Sequence, residues 1–366
     1  MAVQNTPPRQ PVPLVSVIIP MYNAARYIGE CLDSLLAQTF QNFEVIVVND
    51  CSTDNSIAIV ENYAPKFNGR LKLSHMEKNI CSPSAPRNKG IVLSRGEYVF
   101  LADADDKFTP TAFDELYALA KNHDADVVLM EKNYQIKSDG TNLKIIFTKT
   151  GKLVEKPTFE TEDLTERTNE LMRFRYRFEP WLKLVRRDLI IENKIFFPNT
   201  RHGDDTIWTW ALVFHAKRLL RVPNVVYIYR LSENSIMRSK KTPQQEITFR
   251  FNPILLGLTS LNQMLSRLEF FKKNPKYLYA IFENFIRVES SIILNKTFQF
   301  QPFEIYEMIK QEFGEKLGEH DVLVAALCTI INTQQKINAV NAKKFQQFAA
   351  QAQARIAELE AQLKTK

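Results

Sequence analysis

Residues 15–50 read VSVIIPMYNAARYIGECLDSLLAQTFQNFEVIVVND. The stretch opens on VSVII (15–19) and closes on EVIVV (44–48), two β-branched runs that each stop at a polar turn, as buried parallel strands do. Between them, AARYIGECLDSLLAQT places Tyr27, Cys31, Leu32, Leu35 and Leu36 near helical spacing. Strand, helix and strand in this order predict a βαβ unit.

Outward from this unit the alternation continues. DCSTDNSIAIVENYA offers Ser52, Thr53 and Asp54 as caps for a second helix, LKLSHM is a short strand, and APRNKGIVLSRG is a helix that stops at Gly96. EYVFLADAD predicts a strand, PTAFDELYALAKNHD a helix and ADVVLM a strand. The expected fold is α/β, a doubly wound, mostly parallel sheet. In such sheets ligands bind outside the carboxyl ends of the strands. Asn49-Asp50 and the run Asp103-Ala104-Asp105-Asp106 both fall there. Carboxylates this close repel one another and are costly to desolvate, so two acidic clusters facing one crevice are hard to explain as packing.

Past residue 135 the pattern is mixed. NYQIKSDGTNLKIIFTK resembles a hairpin turning at Asp139-Gly140, PWLKLVRRDLIIENKIFFPN reads as helix then strand, and from Thr242 the pattern is almost wholly helical. Ala342, Ala349, Ile356 and Leu363 fall on one heptad seam position and Phe345, Ala352 and Leu359 on the other. That spacing predicts a short coiled coil through which the chain self-associates; a terminal helix docked on its own domain is the alternative. The expected organisation is a tail over 1–13, an α/β domain over 14–241, a helical region over 242–340 and the terminal helix over 341–366.

Of the 366 residues, 45% are hydrophobic and 24% charged, ordinary for a globular protein. Cys31, Cys51, Cys81 and Cys328 form no C-x-x-C pair, so neither a disulfide framework nor a zinc site is expected. No apolar run reaches the ~18 residues of a membrane span, and the Pro-rich start lacks a signal-peptide core, which predicts a cytoplasmic protein. The net charge of +7 is concentrated in RTNELMRFRYRFEPWLKLVRR and between Arg238 and Lys276. Such stretches suit an anionic partner, or peripheral contact with the inner face of a membrane, or are simply solvated.

The sequence has no G-x-G-x-x-G after its first strand, no G-x-x-x-x-G-K-[ST] and no G-x-S-x-G, which argues against a Rossmann dinucleotide site, a P-loop and a lipase-type hydrolase. Asp103 and Asp105 are two carboxylates at a strand end that can face one hard cation, Mn²⁺ or Mg²⁺, shared with substrate phosphate oxygens. By itself the pair reads more readily as an Asp-rich turn, with Asp106 capping the next helix.

The pair does not stand alone. VSVIIPMYN, LDSLLAQTFQNFEVIVVNDCSTDNS, APRNKG, GEYVFLADADDKFTP and WLKLVRRDLIIENKIFFPNTRHGDDTIW follow in that order. Together they resemble the family 2 glycosyltransferases of the GT-A fold over roughly residues 14–235. The resemblance implies a nucleotide-sugar donor, usually a UDP-sugar, and inverting transfer to an acceptor hydroxyl. It implies that Pro20, Tyr22 and Asn23 line the nucleoside pocket and that Asp50 hydrogen-bonds the base. Arg87 and Asn88 match the family's Arg-Asn pair at the donor, and Asp103 and Asp105 match its metal and diphosphate motif. Arg230 and Ser235 fall near residues that meet the diphosphate. Asp204-Asp205 matches the family's Glu-Asp pair, whose second acid is the usual base.

Cys81 stands where a glycine is usual, and the first acid of the pair is Asp rather than Glu, which leaves the choice between Asp204 and Asp205 open. Pro86 before Arg87 is as in bacterial wall teichoic acid glycosyltransferases. The expected function is sugar transfer to a bacterial surface glycan of capsule, lipopolysaccharide or teichoic acid type, with an acceptor that is anionic or lipid-linked. A nucleotidyltransferase and a non-catalytic scaffold with a transferase fold are the alternatives; the missing phosphate loop and the intact acid motifs weigh against them. Nucleic acid is not an expected partner. Trp208 and His202 are candidates for contacts with the acceptor and with phosphate, against core packing and an idle loop histidine. Arg173, Arg175 and Arg177 alternate and either share a functional strand face or are solvated.

Overall fold

The structure is a computed structural model that describes residues 12–79, 81–147, 153–232, 241–297, 300–314, 328, 338–347, 349–351 and 353. The opening stretch folds as β1 (Val15–Met21), α1 (Ile28–Leu36) and β2 (Phe43–Asn49), with β1 and β2 parallel. Then come α2 (Ser56–Tyr63), β3 (Leu71–His75), α3 (Ser84–Leu93), β4 (Tyr98–Leu101), β5 (Lys107–Phe108), α4 (Ala112–Asn122) and β6 (Val127–Met130). The N-cap of α2 is Asn55 rather than Ser52, Thr53 or Asp54, though the Asp54 carboxylate, one residue earlier, accepts the Ser56 N–H at 3.0 Å. The hairpin forms as β7 (Lys132–Lys137) and β8 (Lys144–Phe147). The rest of the α/β region is β9 (Thr158–Phe159), α5 (Leu164–Met172), β10 (Lys183–Arg186), α6 (Arg187–Asn193), α7 (Asp204–His215), β11 (Leu219–Val222) and β12 (Tyr227–Leu231).

The large sheet has the order β3-β2-β1-β4-β10-β6-β11-β9. One expectation needs correction. PWLKLVRRDLIIENK is strand then helix, not helix then strand: KLVR enters the sheet as β10, and α6 ends at Lys194 in the left-handed region at φ 55°. The apolar run after it, with Ile195 and Phe197 buried, is loop. The sheet is mostly parallel as expected, and β10 is an exception that runs antiparallel to both β4 and β6. Its first residues therefore lie at the edge where its neighbours end.

A second sheet, β5-β12-β7-β8, is fastened by aromatic rings. Tyr227 on β12 lies 6.0 Å from Phe100 of β4 and stacks on Trp181 at 4.7 Å. Helix α3 lies so close to β1 that a Cβ on Gly90 would sit 2.2 Å from Ile18 Cγ2, so only glycine fits there.

The chain divides into two compact units, residues 1–239 with 256–284 and residues 240–255 with 285–366. The second contains α8 (Pro243–Asn252), opened by a capping box between Thr242 and Gln245. In the first, α9 (Leu258–Leu265) packs on α7. No described helix is long and apolar enough to cross a membrane. Of the heptad positions, Ala352, Ile356, Leu359 and Leu363 lie outside the described residues, while Phe345 is helical and 73% exposed.

Candidate active site

At the carboxyl ends of β1, β2 and β4, the Asp103–Asp106 loop meets the start of α3 and the start of α7. Arg87 lies three residues before Gly90 on α3, so the tight packing of that helix on β1 fixes its place. Its guanidinium, 5% exposed, reaches three carboxylates. Nη2 donates to Asp103 Oδ1 at 3.1 Å; Nη1 donates to Asp205 Oδ1 at 2.6 Å and to Asp204 Oδ2 at 3.4 Å. The Phe197 ring lies 5.2 Å from the guanidinium carbon. Burial disfavours the charge on Arg87, but Asp205, Asp103 and Asp204 more than offset it, and the pKa is raised.

The two adjacent acids differ in surroundings. They open α7 after Gly203, whose φ of 73° supplies the left-handed turn into the helix. Asp204 is buried and also accepts from Ser84 Oγ at 2.9 Å. Asp205 leaves 32% of its side chain open to solvent. Burial raises the pKa of both; for Asp205, Arg87 and Lys183 oppose the rise while Asp204 and Asp103 add to it. A carboxylate raised toward neutrality suits a general base better than an ordinary one.

The aspartate run separates likewise. Asp106 is wholly buried and accepts from the Tyr227 hydroxyl and the Arg230 N–H, both at 2.7 Å, so it bolts β12 beneath the loop rather than capping α4. Burial, with Asp105 and Asp103 nearby, raises its pKa well above the usual range. Tyr227 Oη also accepts the Asp103 N–H at 3.0 Å. Asp103, with 32% of its side chain exposed, and Asp105 remain for the crevice. The Asp105 pKa is raised by burial and by Asp103, against a hydrogen bond from Ser232.

At the nucleoside end, the Asp50 N–H donates to Met21 O at 2.7 Å, joining the ends of β1 and β2. Pro20 and the 53% exposed Tyr22 lie beside it. Asn23, at φ 46°, accepts the Thr53 N–H on Oδ1 at 2.8 Å and donates its own N–H to Ser52 Oγ at 3.0 Å. Its side chain staples two loops together.

Several expected contacts are placed differently. Asn88 spends its amide on the Phe197 backbone, donating to the carbonyl and accepting the N–H, each at 2.9 Å. Arg230 is buried, its nitrogens donating to Asp105 O, Ser138 O and Glu30 Oε2 at 2.7–3.0 Å. It braces the aspartate loop from behind. Trp208 is core: it stacks on Phe197 at 4.7 Å and donates to Ile195 O at 3.3 Å. His202 is buried before α7, and Ser235 lies outside the described residues.

The stretch 167–187 is not an open cationic face. Arg173 and Arg175 both pair with Glu170, Arg177 with Glu179, and Arg186 with Asp124 and Asp126. Arg173, Arg175 and Arg221 line a cleft of about 420 Å³ together with Glu160, Glu166 and Glu170, so the cations there are matched by carboxylates. In the second stretch, Arg250 pairs with Glu246 and Glu289, and Lys272 with Glu269.

Ser84 and Tyr227 are site residues that motif reading passes over.

Residues 16–186 match the family described as Glycosyl transferase family 2. The chain is 32% identical over 257 residues to the Escherichia coli K12 protein named Uncharacterized glycosyltransferase YibD, covering 69% of this chain and 71% of that one. This chain belongs to glycosyltransferase family 2. The glycosyltransferase is also 35% identical over 217 residues to the poly(ribitol-phosphate) beta-N-acetylglucosaminyltransferase TarS of Staphylococcus aureus MW2, across 58% of this chain and 35% of TarS. A crystal structure of S. aureus TarS 1–349 in complex with UDP-GlcNAc shares its fold, with a TM-score of 0.60 at 23% identity over 88% of this chain and 92% of that one. The fold is GT-A, and the protein is an enzyme of this family.

Proposed function

We propose that the enzyme transfers a sugar from a UDP-sugar to a hydroxyl of a bacterial surface glycan, with inversion at C1 and with Asp205 as the base. The observation that carries this reading is the single arginine joining Asp205, on the acceptor side, to Asp103, on the donor side. Departure of a diphosphate and attack by a hydroxyl occur on opposite faces of C1. A carboxylate must therefore stand across from the charge-neutralising groups, and Arg87 spans that gap. Of the two adjacent acids, Asp205 is the one a hydroxyl can reach, because Asp204 is buried and held by Ser84.

Asp103 and Asp105 fit a divalent cation. Burial and then the neighbouring Asp103 raise the Asp105 pKa, a penalty that a cation would offset, and hard oxygen donors suit Mn²⁺ or Mg²⁺. Among the described residues no three ligating side chains converge, so the ion would complete its shell with water and donor phosphate oxygens, as Mg²⁺ commonly does. When bound, it neutralises charge on the leaving diphosphate. Pro20, Tyr22 and Asp50 are the residues in place for the nucleoside. A poly(ribitol-phosphate) glycan is the acceptor type suggested by the TarS likeness.

The test is a panel of UDP-sugars incubated with Mn²⁺ and poly(ribitol-phosphate), reading UDP release and the product anomer by NMR. UDP release with a β-linked product from an α-linked donor is expected. Retained configuration, or no release from any donor, sinks the reading.

A further inference from the structure

The second sheet ends on an open edge, where β8 pairs with β7 alone. Edge strands are commonly blunted by outward-facing charge. Here Leu143, just before β8, and Ile145 and Phe147 within it fall two residues apart and so on one face. They are 59%, 50% and 49% exposed. Three large apolar side chains within five residues form a patch, unlike the scattered exposure of an ordinary surface.

The charge beside the patch has one dominant sign. Across the ladder Phe147 stands opposite Lys132, and Ile145 opposite Tyr134. From Lys132 to Phe147 the hairpin holds Lys132, Lys137 and Lys144 against a single acid, Asp139. Asp139 is tied into the turn, its Oδ1 accepting the Thr141 N–H at 2.9 Å and hydroxyl at 2.7 Å. None of the three lysines forms a salt bridge among the described residues, whereas the arginines at 173–177 are matched by glutamates.

The hairpin is fastened to the aspartate loop. Arg230 Nη1 donates to Ser138 O, before the turn, and its Nε to Asp105 O, both at 3.0 Å. At the opposite edge of the same sheet, β5 begins at Lys107, directly after Asp106.

Exposed apolar side chains among unpaired lysines fit an anionic lipid surface, where the apolar groups sink below the headgroups and the lysines reach back to phosphate. A second copy fits less well. Pairing β8 with its own copy would bring lysines together, with no acid on β7 or β8 to match them. We propose that the β7–β8 hairpin is a membrane-docking surface, with Leu143, Ile145 and Phe147 entering the interface of an anionic bilayer and Lys132, Lys137 and Lys144 meeting its headgroups. Docking there fixes the aspartate loop relative to the bilayer, which suits an acceptor anchored in the same membrane. The inference depends neither on the sugar moved nor on which acid is the base.

The test is sedimentation of the full chain with vesicles of phosphatidylglycerol and phosphatidylcholine in equal parts, against phosphatidylcholine alone, with thermal melts and light scattering of each protein. Wild type should bind the mixed vesicles in preference, and more weakly in high salt. Ile145→Glu combined with Phe147→Glu should weaken binding about tenfold or more. Tyr279→Glu, a like change at another exposed position, should leave it unchanged. Lys132→Gln with Lys144→Gln should remove the preference for phosphatidylglycerol; if the double glutamate variant melts early, this pair carries the test. Phe147→Trp should give emission that shifts to the blue on the vesicles and is quenched by brominated lipid. Wild type that ignores phosphatidylglycerol, or binding that survives both pairs of substitutions, overturns the proposal. So does a wild-type dimer that the double glutamate variant turns into a monomer, which would give this edge to a second copy.

Discussion

Asn88 and Phe197 exchange two hydrogen bonds, the amide of a helix side chain closing on the backbone of a loop 109 residues away. The bonds place the Phe197 ring between the Arg87 guanidinium and Trp208. Asn88→Asp loses the donor half and leaves a buried carbonyl short of a partner, which costs about 1–3 kcal/mol. The expected outcome is a lower Tm and a lower kcat with donor KM nearly unchanged. A donor KM raised tenfold, with Tm unchanged, would return Asn88 to the nucleotide.

Asp204 and Asp205 should fail in different ways. Asp205→Asn lowers kcat by about 10²-fold or more with little change in Tm. Asp204→Asn weakens buried bonds to Ser84 and Arg87 and should lose about 1–3 kcal/mol of stability, with the smaller loss of kcat. Urea unfolding and steady-state kinetics on both variants check this; the reverse pattern exchanges the roles.

Burial, and then repulsion from Asp103, disfavour the charge on Asp105. Asp105→Asn should therefore raise the Tm of the metal-free protein slightly while abolishing turnover. Mn²⁺ should raise the Tm of the wild type and not of the variant, since a ligand stabilises only the state that binds it. Full wild-type activity in excess EDTA would remove the metal from the scheme.

Lys183 gives stability a pH dependence of fixed sign. Its pKa falls from 10.5 to about 7 on folding, so between those values the unfolded chain binds the extra proton. Stability from this group is complete above 10.5 and is lost as pH falls through about 7. The advantage of Lys183→Met over wild type in urea melts should accordingly be larger at pH 6 than at pH 9. An equal gap at both pH values would mean that the lysine stays charged.

The donor half of the fold was legible in the sequence because its strands are short apolar runs, separated by helices, that end at polar residues. The direction of β10 was not, since KLVR reads the same whichever way it runs. The division of labour within Asp103–Asp106 was also hidden. Nothing local marks Asp106 for burial; Tyr227 and Arg230, over a hundred residues later, decide it. Arg87 and the acid pair could be singled out by motif, but their joining is a tertiary fact. Asn88 and Arg230 show the converse: side chains that match a motif at the donor are engaged with the protein's own backbone.

The reversed strand β10 also bears on how such an enzyme can diverge. A strand that ends at a crevice sends its following loop outward; one that begins there is reached by chain arriving across the opening. Residues 174–182 are that arriving chain, anchored where Thr209 Oγ1 donates to Phe178 O at 2.9 Å and where Trp181 stacks on Tyr227. Tyr176, Arg177, Trp181 and Leu182 hold the segment in the core, while the exposed Phe174 and Phe178 are where its sequence can change without disturbing β1, β2 or the aspartate loop. Grafting the corresponding segment from a relative with another acceptor should thus alter the glycan taken and leave the nucleotide preference where it was.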